Sequence, residues 1–372
     1  MSAVDAVEEA GPTGADRRDR AQEPLLQVED LRVYYSSTGG EYRVVDGSSL
    51  TVYRHELFGL AGESGCGKST LVEGVLRLVK PPGHIPTGRV LFSLPRNGSW
   101  QSVDLRQLSE RRLRDVRWRH ISYVPQGSMN SLNPVMRVGE QIVDGMLAHG
   151  VGADAAERRV PDLLELVGLR PGVARLFPHE LSGGMKQRAI IAAAVALNPQ
   201  LVIADEPTTA LDVNVQRVII ETLAQLRRDL GVAIVMVSHD LPVHAQMVDR
   251  MAIMYAGRVV EVGDVLSVFQ TPLHPYTAGL VASMPKIGGP RSRLPGIPGV
   301  APSPLSWPAG CRFHPRCPYA MEICRRVEPA LSPIAPGPRA VAGRNLTVEP
   351  GQSTACHLFT ESTPGGKTED GG

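Results

Sequence analysis

Apolar and polar positions along the chain fall into short strand-like segments that predict an α/β protein. Residues 25–35 are apolar with polar residues interleaved, as in a half-buried strand. Residues 201–204 and 233–237 are short unbroken apolar runs, which suit parallel strands that are buried on both faces. Residues 251–262 have the pattern of a hairpin that turns at Ala256 and Gly257.

Helical patterns and a further hairpin separate these strands. A short apolar strand at residues 56–60 precedes a helix that begins at Lys68 and keeps one apolar face until two consecutive prolines stop it. Residues 83–105 have the Gly and Pro punctuation of a hairpin. Helical periodicity dominates from residue 138 to about 181.

The composition changes after about residue 271, where Pro and Gly become frequent and four of the five cysteines lie. We therefore place a boundary near 265–285, between a large domain over 25–275 and a small Pro- and Cys-rich domain over 276–360. Residues 1–24 lack an apolar segment and are expected to form a disordered tail, with a second tail at 361–372.

Charge and hydropathy argue against two classes of protein. The formal net charge is +1, so no bulk attraction to nucleic acid or anionic lipid is expected. No run of about 18 apolar residues is present, so no segment is expected to span a bilayer. The N-terminal residues do not have the pattern of a signal peptide, and a cytoplasmic location is therefore expected.

A glycine-rich segment after the strand at 56–60 fits the phosphate-binding pattern G-x-x-x-x-G-K-[ST]. It runs from Gly62 to Ser69. Its glycines let backbone N–H groups approach phosphate oxygens, and the helix N-terminus adds partial positive charge. Lys68 would reach the β- and γ-phosphates, and the Ser69 hydroxyl would bind Mg²⁺. The alternative is a glycine-rich turn that carries a lysine by chance.

Two adjacent carboxylates, Asp205 and Glu206, end the apolar strand at 201–204. Asp205 would hold Mg²⁺ and Glu206 would polarise the attacking water, because phosphoryl transfer needs positioning and charge neutralisation. Taken alone, the pair is equally compatible with an ordinary polar strand end. His239 follows the strand at 233–237, and we assign it to the γ-phosphate and to orienting Glu206, since ligands of α/β folds bind at strand ends.

Residues 181–188 read LSGGMKQR and resemble the signature sequence of ABC ATPases, and the order of the other motifs matches that family. The resemblance implies an ABC ATPase cassette with a RecA-like parallel sheet, an antiparallel β subdomain and a helical subdomain over about 127–182. It also implies that two cassettes sandwich two ATP molecules, so that the signature of one cassette meets the γ-phosphate bound by the other. The signature residues that would act in trans are Ser182, Gly183, Gly184 and Gln187.

The same resemblance implies further site residues. Gln126 would contact Mg²⁺, and Asp212 would belong to a loop that crosses the dimer interface. The adenine would stack on Tyr35, with Tyr42 as the alternative, and a surface tyrosine without this role is the competing interpretation. The residues assigned to ATP are Tyr35, Gly62, Glu63, Ser64, Gly65, Cys66, Gly67, Lys68, Ser69, Thr70 and Gln126, with Cys66 interpreted as a small loop residue rather than a nucleophile.

The C-terminal third narrows the resemblance to dipeptide and oligopeptide importer ATPases. The segments that carry it read HPYT at 274–277, LPGIPG at 294–299 and GCRFHPRC at 310–317. The resemblance implies two membrane permease subunits, a second ATPase chain that forms a heterodimer, an extracytoplasmic substrate-binding protein, and a place at the cytoplasmic membrane face. Nickel or oligosaccharide import is the first alternative, and a soluble ABC ATPase without a transport function is the second.

Four cysteines form a separate candidate site, spaced C-x5-C-x6-C-x31-C at Cys311, Cys317, Cys324 and Cys356. The spacing lacks the C-x2-C pairs of common zinc sites. Four thiolates would satisfy either tetrahedral zinc or a [4Fe–4S] cluster, and free thiols remain the third alternative. The resemblance to peptide-importer ATPases favours the cluster, because some members of that family hold one there.

Overall fold

The computed structural model describes residues 23–96, 98–284 and 296–360. Residues 1–22 of the tail expected over 1–24, the tail expected over 361–372, and the first two residues of the LPGIPG segment lie outside this range, whereas Pro24 is described and begins a strand. The strands are β1 Pro24–Ser37, β2 Gly40–Tyr53, β3 Leu57–Ala61, β4 Gly83–His84, β5 Arg89–Arg96, β6 Ser99–Asp104, β7 Ile121–Val124, β8 Leu201–Asp205, β9 Ala233–Ser238, β10 Arg250–Tyr255, β11 Arg258–Asp264, β12 Ser332–Pro333, β13 Gly337–Val341, β14 Arg344–Val348 and β15 Ser353–Thr354. The α-helices are α1 Lys68–Val75, α2 Glu110–Val116, α3 Val138–Ala148, α4 Ala153–Leu166, α5 Gly183–Val195, α6 Val213–Leu230, α7 Leu241–Met247, α8 Val265–Gln270 and α9 Pro275–Ala282.

The main sheet has the strand order β12-β15-β11-β10-β3-β9-β8-β7 among the described residues. Strands β3, β8 and β9 are buried along their whole length. They pair in parallel with one another, with β7 and with β10. Unbroken apolar strands are stable here because helices and loops cover both faces of the sheet. The predicted parallel strands are confirmed.

A second, antiparallel sheet has the order β2-β1-β5-β6, with β4 paired to β1. Leu26 pairs with Phe92 across β1 and β5, and both side chains are buried in the core shared with α1. The hairpin expected over 83–105 is β5–β6. This sheet carries Tyr35 and Tyr42 as direct cross-strand partners.

The helical segment after β7 contains α3 and α4, which pack against each other and against α5. Helix α5 is buried on most sides, with Ile191 and Val195 fully enclosed. The interpretation of residues 189–197 as a core helix is confirmed for the part within α5. The N-terminus of α5 is the segment LSGGMKQR.

The C-terminal segment, which is the described part of residues 276–360, does not pack as a separate domain. Strand β15 pairs with β11 and so extends the main sheet at its edge. Tyr276 and Phe313 are buried in one apolar cluster with Ala61 and Tyr255 of the main sheet. The boundary expected near 265–285 therefore marks a change in composition across which the hydrophobic core is continuous.

None of the described helices combines the length and the apolar character that a membrane crossing requires.

Candidate functional site

The phosphate loop, residues 62–67, connects β3 to α1 at the carboxyl edge of the main sheet. Gly62 and Gly67 have φ angles of 152° and 105°. A Cβ on Gly62 would collide with the Met254 carbonyl oxygen, and one on Gly67 would lie 2.7 Å from the Val44 carbonyl oxygen. Glycine is therefore required at both positions for conformational and steric reasons.

Lys68 begins α1 and is buried although it carries a charge. Its ammonium group donates to the carbonyl oxygens of Gly62 at 2.8 Å and Glu63 at 3.1 Å. A phosphate oxygen is a stronger partner for an ammonium group than a carbonyl oxygen, so the lysine is held where it can turn to an anion in the loop. Cys66 is buried, and burial raises the pKa of its thiol, which keeps it protonated. Ser64 and Gly65 are exposed at the outside of the loop.

Asp205 ends β8 and is fully buried. The Ser69 side chain hydrogen-bonds to its carboxylate, and the Tyr123 hydroxyl donates to Oδ2 at 3.3 Å. Burial raises the pKa of this carboxyl group, and Oδ1 has no hydrogen-bond partner among the described residues. A buried, unpartnered carboxylate oxygen beside a serine hydroxyl is a suitable set of donors for Mg²⁺.

Glu206 is the adjacent carboxylate, and its side chain turns toward the end of β9. Its Oε1 lies 2.7 Å from His239 Nδ1 and accepts from the His239 backbone N–H at 3.1 Å. Its Oε2 accepts from the Thr209 hydroxyl at 2.9 Å and lies 3.5 Å from the Ser238 hydroxyl oxygen. The carboxylate is buried whereas the imidazole is largely exposed, so the pair has an enclosed end and an open end.

The backbone at Glu206 is in the left-handed region, with φ of 50°. Such a conformation costs of order 1 kcal/mol for a side chain with a Cβ and persists only where the surroundings hold it. Here the Glu206 N–H donates to the Val237 carbonyl oxygen at 2.8 Å. This bond turns the chain after β8 toward β9, which brings Glu206 and His239 together.

Gln126 is exposed in the turn that follows β7. Because β7 and β8 are parallel neighbours, Gln126 and Asp205 leave the sheet at the same edge. The resemblance implies that Gln187 faces a second cassette, but the structure places it inside the chain. It is buried, and its Oε1 accepts from the Ser128 hydroxyl at 3.0 Å, so it joins α5 to the turn after Gln126 within one chain.

The other signature residues lie at the N-terminus of α5. The exposed Ser182 is the N-cap, and its hydroxyl accepts from the Met185 N–H at 3.3 Å. Gly183 is the first helical residue. Gly184 is buried, and a Cβ there would lie 2.5 Å from Val215 Cγ1 of α6. Ser182 can therefore face a ligand or a partner chain, whereas Gly184 permits close packing of α5 on α6.

Asp212 is the N-cap of α6, and its Oδ1 accepts from the N–H groups of Asn214 and Val215 at 3.1 and 3.0 Å. Asp212 is exposed, and among the described residues its side-chain hydrogen bonds are those of the helix cap. Its expected place at a dimer interface stays a prediction.

The two candidate adenine platforms, Tyr35 and Tyr42, lie side by side because paired residues of antiparallel strands share a face. Both rings are half-buried. The Tyr35 hydroxyl hydrogen-bonds to Thr70 of α1, one residue after Ser69. Tyr35 is thus tied to the phosphate-binding helix, and the choice between the two tyrosines stays open.

The four C-terminal cysteines share one small cavity. Its cysteine and histidine lining consists of Cys311, Cys317, Cys324, Cys356, His274, His314 and His357. Burial raises the pKa of Cys311 to about 11 and that of Cys356 to about 12, so these thiols are protonated at neutral pH. Within residues 23–96, 98–284 and 296–360, no three His, Cys, Asp or Glu side chains form a group that could hold a metal ion. This finding supports neither the zinc alternative nor the [4Fe–4S] alternative, and the choice among cluster, zinc and free thiols stays a prediction.

Several residues support the site without having been assigned to it from sequence. Tyr123, Thr209 and Ser128 hold Asp205, Glu206 and Gln187 respectively. Tyr276 and Arg316 contact Glu63 of the phosphate loop from the C-terminal segment. Tyr123 could have been found from its position on the strand beside β8. The C-terminal pair could not, because more than 200 residues separate it from the loop.

Comparison with protein families matches two parts of the chain. Residues 45–209 match the family described as "ABC transporter". Residues 260–324 match "Oligopeptide/dipeptide transporter, C-terminal region".

Individual proteins of known sequence or structure are similar over longer spans. The dipeptide transport ATP-binding protein of Caldanaerobacter subterraneus subsp. tengcongensis is 39% identical, over 91% of this chain and 98% of that protein. The oligopeptide transport ATP-binding protein of Bacillus subtilis (strain 168) is 41% identical, over 84% of this chain and 86% of that protein. A bacterial ABC transporter cassette solved as a dimer superposes with a TM-score of 0.57 at 26% identity, covering 65% of this chain and 99% of that one.

Proposed function

The chain belongs to the ABC transporter ATP-binding proteins of the dipeptide and oligopeptide type, and we propose that it hydrolyses ATP to power peptide uptake through separate membrane subunits. The relatives named above carry dipeptide and oligopeptide transport in their names. The C-terminal match at 260–324 to the oligopeptide/dipeptide family supports the same cargo class.

One observation supports the hydrolytic chemistry above others: the Glu206 carboxylate lies 2.7 Å from His239 Nδ1, beside the buried Asp205 and the phosphate loop. A carboxylate fixed on both oxygens can accept a hydrogen bond from a water and hold it for attack on the terminal phosphorus. The exposed imidazole of His239 would orient Glu206 and contact the γ-phosphate.

The phosphate-binding residues would act by placing charge where the transition state develops it. Loop N–H groups and the ammonium of Lys68 would hold the β- and γ-phosphates. Ser69, Asp205 and Gln126 would hold Mg²⁺, which neutralises negative charge on the phosphate oxygens when it is bound. Tyr35 or Tyr42 would stack on the adenine.

A dimer of cassettes would complete each ATP site. Ser182 and Gly183 are accessible at the start of α5, where helical N–H groups lack intrahelical partners. We propose that this end of α5 faces the γ-phosphate of a second, similar ATPase chain, with Asp212 at the same interface. Two permease subunits and an extracytoplasmic binding protein would complete the importer at the cytoplasmic face of the membrane. A nucleic-acid partner is not proposed, because the net charge is +1.

The cysteine quartet is proposed to hold a [4Fe–4S] cluster. Four thiol groups lining one cavity provide the number and type of ligands that such a cluster needs, and a polynuclear cluster does not require the thiols to converge on one ion. Cys311, Cys317, Cys324 and Cys356 would be the ligands. Bound there, the cluster would cross-link a segment that contains few large apolar residues.

Transport can be tested with the chain assembled with its permease subunits in proteoliposomes. Wild-type assemblies should hydrolyse ATP and accumulate a labelled di- or oligopeptide when the binding protein is added. Lys68→Ala should abolish both, because a charge-assisted contact to phosphate is lost. Arg325→Ala on the surface is the matched control and should be active. Uptake of nickel or an oligosaccharide without peptide uptake would overturn the peptide assignment, and failure to assemble with permeases would overturn transport.

Iron content tests the cluster independently of transport. Anaerobically purified protein should be brown and contain about four irons per chain, and Cys317→Ser should lose iron and destabilise the C-terminal segment. Iron content and stability of the segment, and not ATP binding, are the readouts, because Arg316 beside Cys317 contacts Glu63 of the phosphate loop. Colourless, metal-free protein of full stability with four reactive thiols would overturn the proposal.

A further inference from the structure

Glu63 occupies a variable position of the phosphate loop, and its N–H, its carbonyl oxygen and its carboxylate all form hydrogen bonds. Its carbonyl oxygen accepts from Lys68 Nζ at 3.1 Å and from the Cys66 N–H at 3.2 Å. Its N–H donates to the Tyr276 hydroxyl at 2.9 Å. Its two carboxylate oxygens accept from Arg316 at 3.0 and 3.1 Å. The first two bonds come from the first residue of α1 and from the loop itself, and the others come from the C-terminal segment.

The Arg316 side chain is buried and held by several hydrogen bonds. Only 6% of it is exposed, against 29% for the Glu63 side chain. Its Nε donates to the Pro298 carbonyl oxygen at 2.9 Å, and one terminal nitrogen lies 3.4 Å from the Tyr255 hydroxyl. A planar guanidinium that donates two hydrogen bonds to one carboxylate fixes both the distance and the orientation of the pair.

Tyr276 is equally constrained. It is fully buried, and its ring packs on Tyr255 at 4.5 Å and on Phe313 at 5.5 Å between centroids. The Tyr276 hydroxyl therefore cannot move away from the Glu63 N–H without disturbing the packing of three aromatic rings. That amide points to the tyrosine, so it is not among the loop N–H groups directed at a phosphate.

A second contact links the same segment to the other side of the loop. Arg312 donates to the Ala256 carbonyl oxygen at 2.6 Å, and the neighbouring Gly257 N–H donates to the Cys66 carbonyl oxygen at 2.9 Å. Arg312 also forms a buried ion pair with Asp46 of the antiparallel sheet. The C-terminal segment thus contacts Glu63 directly and is linked to Cys66 indirectly, through Ala256 and Gly257.

We propose that Arg316 and Tyr276 are positioning residues of the nucleotide site, which hold the phosphate loop through Glu63 and so make ATP affinity depend on the docked C-terminal segment. This inference rests on the proposed binding of ATP by the loop. Glu63 then acts as the anchor of the loop to the C-terminal segment, and its side chain does not contact the nucleotide. Without this anchor, the loop adopts conformations in which its N–H groups do not converge on the phosphates. The apparent affinity for ATP then falls in proportion to the fraction of chains whose loop is in the binding-competent conformation.

The test is binding of a non-hydrolysable ATP analogue with Mg²⁺ to the purified full chain, measured by calorimetry. Arg316→Met and Glu63→Gln should each raise Kd about tenfold, which corresponds to about 1.4 kcal/mol. The double variant should be no weaker than either single variant, because both changes remove the same pair. Arg316→Lys should be intermediate, and Arg325→Met, an exposed arginine of the same segment, should match wild type.

A merely structural effect would give a different result. If the substitutions only destabilised the fold, the number of binding sites per chain would fall and the Kd of the folded fraction would not change. Tyr276→Phe removes one hydroxyl while keeping the ring, so it tests the second contact even where Arg316→Met fails to fold, and it should raise Kd several-fold. A Kd within twofold of wild type for Tyr276→Phe and Arg316→Lys, or additive effects in the double variant, would overturn the proposal.

The wild-type titration separates this proposal from the function on which it rests. Wild-type chain that does not bind the analogue would reject the proposed function and this inference together. Wild-type binding with unchanged variants would reject the inference alone.

Discussion

At the scale of single residues, the candidate site contrasts two neighbouring carboxylates with different surroundings. Asp205 is enclosed and has one oxygen without a partner in the described part of the chain. Glu206 has a bonded partner on each oxygen. An unpartnered oxygen suits a metal ligand, whereas a fully oriented carboxylate suits the positioning of water.

Glu206→Gln should lower the ATP turnover number by at least about 100-fold, because the amide cannot accept the proton of the attacking water. ATP should still bind, since the phosphate loop is unchanged, and the dimer should become stable in the presence of ATP. Steady-state hydrolysis and size-exclusion chromatography with ATP measure the two effects. Wild-type turnover in this variant would reject the assignment of Glu206.

His244 supplies a prediction on pH because it is a buried histidine next to the site. It lies in α7, and burial lowers its pKa to about 4. An unfolded histidine has a pKa of about 6.5, so between these values the unfolded chain binds a proton that the folded chain does not. The stability contributed by the neutral ring is therefore present above about pH 6.5 and is lost as the pH falls toward 4.

Denaturant unfolding at pH 7 and pH 5 should show this loss. The free energy of unfolding of wild type should decrease with falling pH more steeply than that of His244→Leu, by at most about 1.4 kcal/mol per pH unit. His84→Gln on the surface is the control for removal of another histidine. Identical slopes for wild type and His244→Leu would contradict the prediction.

At the scale of elements, helix α5 is positioned by close packing on α6. Gly184 allows this approach, because a Cβ there would lie 2.5 Å from Val215 Cγ1. The contact at Gly183 is looser: a Cβ there would lie 3.3 Å from Met129 Sδ, in a flexible side chain, and 3.5 Å from Leu211 Cδ2. The two glycines of the signature segment therefore have different structural requirements.

Gly184→Ala should destabilise the fold by about 1–3 kcal/mol, because an added methyl group must displace the α6 side chain. Val215→Ala in the same chain should recover most of the loss. Gly183→Ala should leave stability nearly unchanged, which thermal unfolding of the three variants would measure. Equal destabilisation by the two glycine substitutions would contradict the packing argument.

At the scale of the whole molecule, the main sheet places the candidate site residues at its carboxyl edge, and the C-terminal segment contacts the phosphate loop at that edge. Strand β15 extends the sheet, and Arg316 reaches Glu63 from the same segment. The candidate site residues and the residues that contact them thus come from distant parts of the chain. The exposed N-terminus of α5 remains available for a second chain.

Ser182→Arg should block the ATP site of the partner chain and leave the chain's own site able to bind ATP, because the signature is proposed to act in trans. A mixed dimer with one altered chain would show which site loses hydrolysis. Ser182→Ala is the control for loss of the N-cap, which costs about 1 kcal/mol. Full hydrolysis by a purified monomer, unaffected by Ser182→Arg, would reject the two-chain site.

The sequence by itself determined the buried strands β8 and β9, the hairpin β10–β11, the phosphate loop and the paired carboxylates, because apolar runs and local motifs express short-range constraints, whereas β12 to β15 were not predicted. It also indicated the C-terminal family through local segments such as GCRFHPRC. Tertiary structure alone decided that Gln187 is buried against Ser128 and that Arg316 and Tyr276 hold Glu63. These contacts depend on which strands and helices become neighbours, and no local pattern of side chains encodes that.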